Sequence, residues 1–392
     1  MEKSQMKKGM NNNNTGSIFT DSINKDGFET NKAEEKVSLA SNWQLIWWRY
    51  RKNILAVVSL FILFFIFTVI LFPQFYATDE SEDTDARQSF MPIQPLHIMK
   101  NGKIDFWMED MVGVRNKETL AMEWKSDPNE MVDIKFLGKG KPWKFLFWTS
   151  TRHLLVNQNS SQRIFILGSD RMGRDQWSRL AYATKTSLTV GLISVLLSVF
   201  LGVLLGGISG YFGGTADMII QRSIEILNSI PYVPIWMAMT AALPRNWNPE
   251  KRFFAITVIL SLLGWTTLGR EVRGKFLSLR EEDFVLAAEL IGCSKWRIIM
   301  KHMVPTFLSH IIATATLSIP MMIVNETSLS YLGLGLRPPA ISYGVMLQEA
   351  QDVNTIALYP WLLIPGAIVV IVVLMFNLIG DGLRDAADPY SK

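Results

Sequence analysis

Long uncharged apolar blocks alternate with short charged segments over most of the chain. Ile54 to Phe72 is a run of 19 residues without a charge, and Thr186 to Ala216 is a longer one. An α-helix rises 1.5 Å per residue, so about 20 apolar residues cross the hydrocarbon of a bilayer. The pattern predicts six spans: Ile54–Phe72, Leu188–Gly210, Ile219–Leu243, Phe253–Leu268, Val304–Ser328 and Trp361–Ile379. Pro231 and Pro234 lie in the third, which is therefore expected to be kinked or broken, and Pro320 lies inside the fifth.

The polar segments set the order around these spans. Residues 1–40, with "NNNN" and scattered Lys, Glu and Ser, read as a disordered cytoplasmic tail. "NWQLIWWRYRK" then reads as an amphipathic interfacial helix that, with the first span, fills residues 41–72. Its Trp43, Trp47 and Trp48 suit the lipid interface, and Arg49, Arg51 and Lys52 place the N-terminus in the cytoplasm. No A-x-A-like site follows this span, so it does not read as a cleaved signal. Six crossings return the C-terminus to the cytoplasm and put the basic loop Arg270–Lys301 inside. "PRNWNPEKR" then falls outside, against the positive-inside rule.

Residues 73–166, between the first two spans, are mostly polar, and "DESEDTDAR" reads as a solvated acidic run. Further on, Val132, Ile134 and Phe136, then Trp143, Phe145 and Phe147, alternate at period two around a Gly/Pro/Lys turn. That pattern predicts a β-hairpin. The expected fold is an all-α polytopic membrane protein of six transmembrane helices. A small extracytoplasmic β-containing module sits between helices 1 and 2, and the core fills residues 167–389.

Composition narrows the function. The chain is 49% hydrophobic and 19% charged, and its net charge of +4 is small and dispersed, which argues against nucleic acid. The single cysteine, Cys293, excludes an internal disulfide and a Cys-rich metal site, and reads as a small buried residue in a helix turn. None of the four His falls in H-x-x-x-H or H-E-x-x-H spacing, so no metal site is expected. There is no G-x-x-x-x-G-K-[ST], and "GKGKPWKF" lacks that spacing; G-x-S-x-G is missing as well. No inverted repeat of the secondary-transporter kind is visible in spans two to six.

Two sets of positions inside the spans stand out. Gly202, Gly206, Gly210 and Gly214 recur every four residues, placing them on one helix face where another backbone can approach closely. Arg222, Glu225, His310 and Glu326 are the ionisable candidates. Glu326 reads as paired near the outer helix end, because the spans offer no chain of groups for a proton relay.

"FVLAAELIGCSKWRIIMKHMVP", Phe284 to Pro305, lies between two spans yet carries Glu289, Lys295, Arg297, Lys301 and His302, so it does not cross. Glu281, Glu282 and Asp283 before it suit a helix N-terminus. Two short helices are expected, Phe284–Ile291 and Lys295–His302, turning at Gly292-Cys293-Ser294, with Pro305 opening span five. The face made by Ala287, Ala288 and Gly292 is too small to anchor in lipid and suits close docking to protein.

These residues resemble the E-A-A-x-x-x-G loop through which ABC-transporter permeases dock their ATPases; Leu286 stands where that family has its leading Glu. "LGSDRMGRDQWSRLAYATKTSLTVG" (167–191) is similar to the G-T-D-x-x-G-R-D segment of the second membrane subunit of the dipeptide/oligopeptide (nickel) import family. It carries Gly168, Asp170, Gly173, Arg174 and Asp175, with Ser169 for Thr. "LSYLGLGLRPPAISYGVML" (329–347) resembles another block of that subunit through Gly333 and Gly335, with Tyr331 for Phe and Tyr343 for Trp. "FNLIGDGLRDAADP" (376–389) looks like its C-terminal signature, with Gly380, Asp381, Arg384 and Asp388, and "WWRYRKNILAVVSL" (47–60) like its N-terminal lead-in.

The resemblance implies a permease subunit, not an enzyme, in a bacterial or archaeal cytoplasmic membrane. It would pair with a homologous permease as a heterodimer around a path for peptides or related oligomeric solutes. Two cytoplasmic ATPases would carry the ATP and Mg, this chain binding no cofactor, and an extracytoplasmic binding protein would deliver the solute. The coupling segment 281–303, with Ala287, Ala288, Gly292, Cys293, Ser294 and His302, and Pro305 just beyond, would dock the ATPases and act as a lever. Residues 73–166 resemble a module inserted in a subset of these permeases. That subset leaves oligosaccharide import as the alternative and a stand-alone secondary transporter as a distant one.

Overall fold

A computed structural model describes residues 42–387, apart from 101–102, 116, 118–121, 146, 158–162 and 245. The expected tail, residues 1–40, and Asp388 lie outside the described residues. Helix α1 (Asn42–Tyr50) leads into α2 (Ile54–Leu71), which Asn53 caps by accepting from the Ala56 N–H. Apolar on every side, α2 buries Ala56, Ser59 and Leu63 and leaves most of its other side chains free to face lipid. In hydrocarbon a helix satisfies its own backbone, which is why such a run is stable there.

After the module come α3 (Gln176–Phe212), α4 (Gly214–Asn228), α5 (Tyr232–Ala241) and α6 (Pro249–Leu279). They are followed by α7 (Asp283–Leu290), α8 (Leu308–Tyr331), α9 (Tyr343–Gln348), α10 (Val353–Leu358) and α11 (Ile364–Ala387). Among the described residues, five helices are long and apolar enough to cross a membrane: α2, α3, α6, α8 and Pro360–Ala387, which comprises a 3-10 turn and α11. The expected third span is two helices, of 15 and 10 residues, each too short to cross alone. Pro231, which has no N–H to donate, stands at the break.

The long helices also start earlier than apolarity suggests. Asp175 caps α3 by accepting from the Trp177 and Ser178 N–H groups, so α3 begins before its apolar stretch. Asn248 caps α6 through Lys251 N–H, with Pro249 in the first turn where its missing donor costs nothing.

Helices α3 and α6 pack side by side in one constant register. Ser194 and Ser198 donate to the carbonyls of Thr257 and Ser261. A Cβ on Gly202 would meet Trp265 O at 3.2 Å, one on Gly206 would meet the backbone of Gly269, and one on Gly210 would meet Arg273 O at 2.7 Å. Both sequences advance together, so the two helices run parallel. Gly214 does not belong to this face. It has φ of +55° and open space around it, because α3 ends at Gly213 and the chain turns there.

The module holds a four-stranded antiparallel sheet in the order β1-β2-β3-β6 and a separate two-stranded sheet. The first comprises β1 (Leu96–Lys100), β2 (Lys103–Arg115), β3 (Met122–Phe136) and β6 (Leu155–Asn157). The second pairs β4 (Lys139–Phe145) with β5 (Trp148–Arg152). The expected hairpin is therefore corrected: both strands exist, but β3 and β4 do not pair. Leu137, with φ of +54°, turns the chain between them, and Phe136 pairs with Leu155 of β6. Met108, Val132, Ile134, Leu155 and Ile164 form the module core.

Candidate coupling surface

Helix α7 and the chain after it form a knob at the Tyr211 end of α3, opposite the end that meets the module. The buried side of the knob is apolar. Val285, Ala288, Ile298, Ile299 and Met303 pack with Val272, Phe276 and Leu279 of α6 and with Tyr211. Tyr211 Oη donates to Glu289 at 2.5 Å, and the Lys295 ammonium stands 5.3 Å from the centre of the Phe212 ring. The knob is thereby bonded to the end of α3 and packed against the end of α6.

Gly292 ends α7. Its N–H donates to Glu289 O (2.9 Å) and the Cys293 N–H donates to Ala288 O (3.0 Å), the paired bonds of a Schellman cap. That cap puts the residue after the helix in the left-handed region, and Gly292 has φ of +85°. Ser294 takes the cap position of the short turn Lys295–Arg297, followed by π-wound Ile298–Met303, which contains half-buried His302. The expected second helix is thus mostly π-wound. Pro305 lies exposed in its own turn, Val304–Thr306, ahead of α8. Cys293 is half-buried against the same apolar cluster.

The expected small-residue docking face needs revision. Ala288 points into the protein, while Ala287 and Gly292 are exposed. Among the residues the knob offers outward are large apolar ones: Leu290 is 89% exposed, Ile291 82% and Leu286 45%, with Trp296 and Met300 also exposed between charged Glu289, Lys295, Arg297 and Lys301. Leu286 and Leu290 are four residues apart on one helix face, so the residue standing for the family's Glu extends this patch.

Two of the family-like segments, 167–191 and 329–347, gather at the opposite end, while 47–60 and 376–389 meet each other where Gly382 packs against Tyr50 and Ala56. Gly168 and Gly173 adopt φ of +75° and +69°, and a Cβ on Gly168 would meet Met91 O at 2.7 Å. Buried Asp170 accepts from the Met172 and Arg174 N–H groups, from Arg174 Nε at 2.6 Å and from Arg179. Arg174 also donates to Glu349 Oε1 at 2.8 Å. Asp175 accepts from Thr78 Oγ1 at 2.9 Å, and burial pushes its carboxyl up from the usual carboxylate range against the pull of these donors. The segment thus ties the module to α3 and to the end of α9.

Gly333, with φ of +72°, closes α8 through a second Schellman cap: its N–H meets Ser330 O, and that of Leu334 meets Leu329 O. Gly335 lies where a Cβ would meet Ser330. Gly380 packs against Leu317, while Asp381 and Arg384 face outward.

Among the ionisable candidates, Glu326 is fully buried and accepts from Ser187 Oγ (2.8 Å) and Ser330 Oγ (2.7 Å). Ser187 in turn accepts from Tyr343 N, joining α3, α8 and α9. Arg222 and Glu225 form an exposed pair, and His310 stands 3.1 Å from Glu271. Two links had no sequence signal, since their partners are 56 and 78 residues apart: Asp217 with the Arg273 guanidinium, and Tyr211 with Glu289.

Residues 202–391 match the family described as binding-protein-dependent transport system inner membrane component. Residues 41–92 match the N-terminal TM domain of oligopeptide transport permease C. The chain is 35% identical over 241 residues to the oligopeptide transport system permease protein OppC of Bacillus subtilis, covering 61% of this chain and 76% of the relative. It is 29% identical over 381 residues to the dipeptide transport system permease protein DppC of Lactococcus lactis, covering 94% of this chain and 98% of that one. A chain of the MetNI methionine ABC transporter in inward-facing conformations aligns over 53% of this chain and 95% of its own, with TM-score 0.41 and 16% identity. On these relatives, and on segments placed in one order along the fold, the chain belongs to the oligopeptide and dipeptide permease family of ABC transporters.

Proposed function

We propose that this chain pairs with a homologous permease to enclose a path for peptides, and that two cytoplasmic ATPases drive it through the α7 knob. The observation carrying the proposal is the two-sidedness of that knob: one side is bonded to α3 and packed on α6, and the other presents Leu286, Leu290 and Ile291 to solvent. A surface so apolar at the end of a membrane bundle suits a protein partner. Closure of the ATPases on ATP, which they hold with Mg, pushes the knob, and α3 and α6 tilt with it as one body. An extracytoplasmic binding protein delivers the solute. Peptides are the favoured class because the named relatives are oligopeptide and dipeptide permeases.

We read α4 and α5 together as a broken sixth span. The parallel register of α3 and α6 supports this, since the chain returns from the Gly210 end to the Ser194 end between them. Those positions are 16 residues apart, about 24 Å along a helix. Both termini and the knob are cytoplasmic in this reading and the module is outside, supported by Arg49, Arg51, Lys52 and the basic loop Arg270–Lys301. The test is reconstitution of both permeases, both ATPases and the binding protein in liposomes. ATP-dependent accumulation of labelled peptide that requires the binding protein is expected. Accumulation of an oligosaccharide instead, or uptake by this chain alone on an ion gradient, contradicts the proposal.

A further inference from the structure

The β4–β5 hairpin of the module ends in two aromatic side chains with almost no protein around them: Phe147 is 102% exposed and Trp148 82%. Its position relative to the first span is fixed by contacts at Phe72, Phe75 and Ala77. Phe72, the residue after α2, packs its ring 4.6 Å from that of Phe145 and 6.2 Å from that of Trp143. The Leu154 N–H donates to Phe75 O at 2.7 Å, and His153 Nε2 lies 2.8 Å from Lys141 O with Nδ1 3.2 Å from Ala77 O. The hairpin therefore rests on the end of a membrane span.

Trp148 pairs directly with Phe145, so the pleat puts both rings on the same face of the two-stranded sheet. Trp143, two residues before Phe145, shares that face, while exposed Lys144 occupies the other. The aromatic face is thus the one turned toward Phe72, and Trp148 continues it one cross-strand step, about 5 Å, beyond Phe145. Apolar surface on α2 runs up to the same place, with Phe61, Phe64 and Leu71 at least half exposed. Trp and Phe at the depth where a span leaves the hydrocarbon are the chemistry of the aromatic belt, and a neighbouring Lys can extend its ammonium to phosphate headgroups.

We propose that the hairpin is a membrane-interface anchor, with Phe147 and Trp148 seated among the lipid headgroups of the leaflet that α2 reaches at Leu71. The bilayer is favoured over a protein partner because the patch continues the lipid-facing surface of the span. Such an anchor holds the module close to the membrane and limits the directions from which a soluble partner reaches it.

The test uses the assembled importer in nanodiscs of phosphatidylethanolamine and phosphatidylglycerol. In a Cys293→Ser background, Phe147→Cys at the tip carries a nitroxide spin label, and Lys144→Cys, on the face opposite Phe145 and Trp148, is the comparison. The Phe147 label is expected to collide with oxygen more than with a water-soluble nickel chelate, and to read deeper than the Lys144 label. Free access of the nickel chelate to the Phe147 label overturns the anchor by placing the tip in water. Shielding from both reagents overturns it by placing the tip under protein, and equal depth for the two labels overturns it by placing the tip no deeper than Lys144.

Discussion

Gly292 stands two residues past α7, after the cap residue Ile291, with φ of +85° and nothing within reach of an added Cβ, so its role is conformational. Gly292→Ala is expected to cost about 1 kcal/mol in a left-handed conformation, read as a lower melting temperature of the purified permease. Gly292→Trp adds bulk on the open side, so membrane insertion is expected to survive while co-purifying ATPase is lost. Gly206 is the opposite case, because its missing Cβ is the space occupied by Gly269. Gly206→Leu is expected to destabilise by at least the roughly 1–3 kcal/mol of an overpacked core, whereas Gly274→Ala, with open space, is expected to be neutral or up to about 1 kcal/mol stabilising. Thermal melts of the variants separate the two. The four-residue glycine repeat was legible in the sequence, but its end was not, since Gly213 and Gly214 together turn the chain where the spacing alone continues.

At the scale of elements, the segment around Asp170 joins α3 to the end of α9 through two guanidinium groups and two carboxylates, and Asp175 adds the module through Thr78. Removing one buried member leaves the others uncompensated, so Asp170→Ala is expected to lose about 3–5 kcal/mol. Arg222→Ala breaks an exposed pair and is expected to change stability by well under 1 kcal/mol. Thermal or denaturant unfolding in detergent checks both, and a mild effect at Asp170 would contradict the network. The spans were visible as apolar runs because lipid demands them, and the break at Pro231 because proline removes a donor. Strand pairing was not visible: alternation at Val132, Ile134 and Phe136 reports which face is buried, not which strand lies alongside. Nor did the small residues of the knob reveal their direction. Ala288 turns inward because Phe276 and Ile299 await it, and larger neighbours are left to face out.

Taken whole, the molecule places a β module at one end of the α3–α6 pair and an apolar knob at the other. The parallel α3 and α6 form a rigid link from that knob toward the module side, with Asp217 clamped to Arg273 and Glu289 bonded to Tyr211 at the knob end. Force applied at the knob therefore reaches the far side through helices and not through a flexible loop. In the proposed mechanism the outward face of the knob receives the ATPases. The most direct test of that docking is Leu290→Glu combined with Ile291→Glu, both exposed and so harmless to the fold. The ATPase that co-purifies with the membrane-inserted permease pair is then counted. That ATPase is expected to be lost and peptide uptake with it; wild-type amounts of ATPase on the doubly substituted permease would contradict docking at the knob.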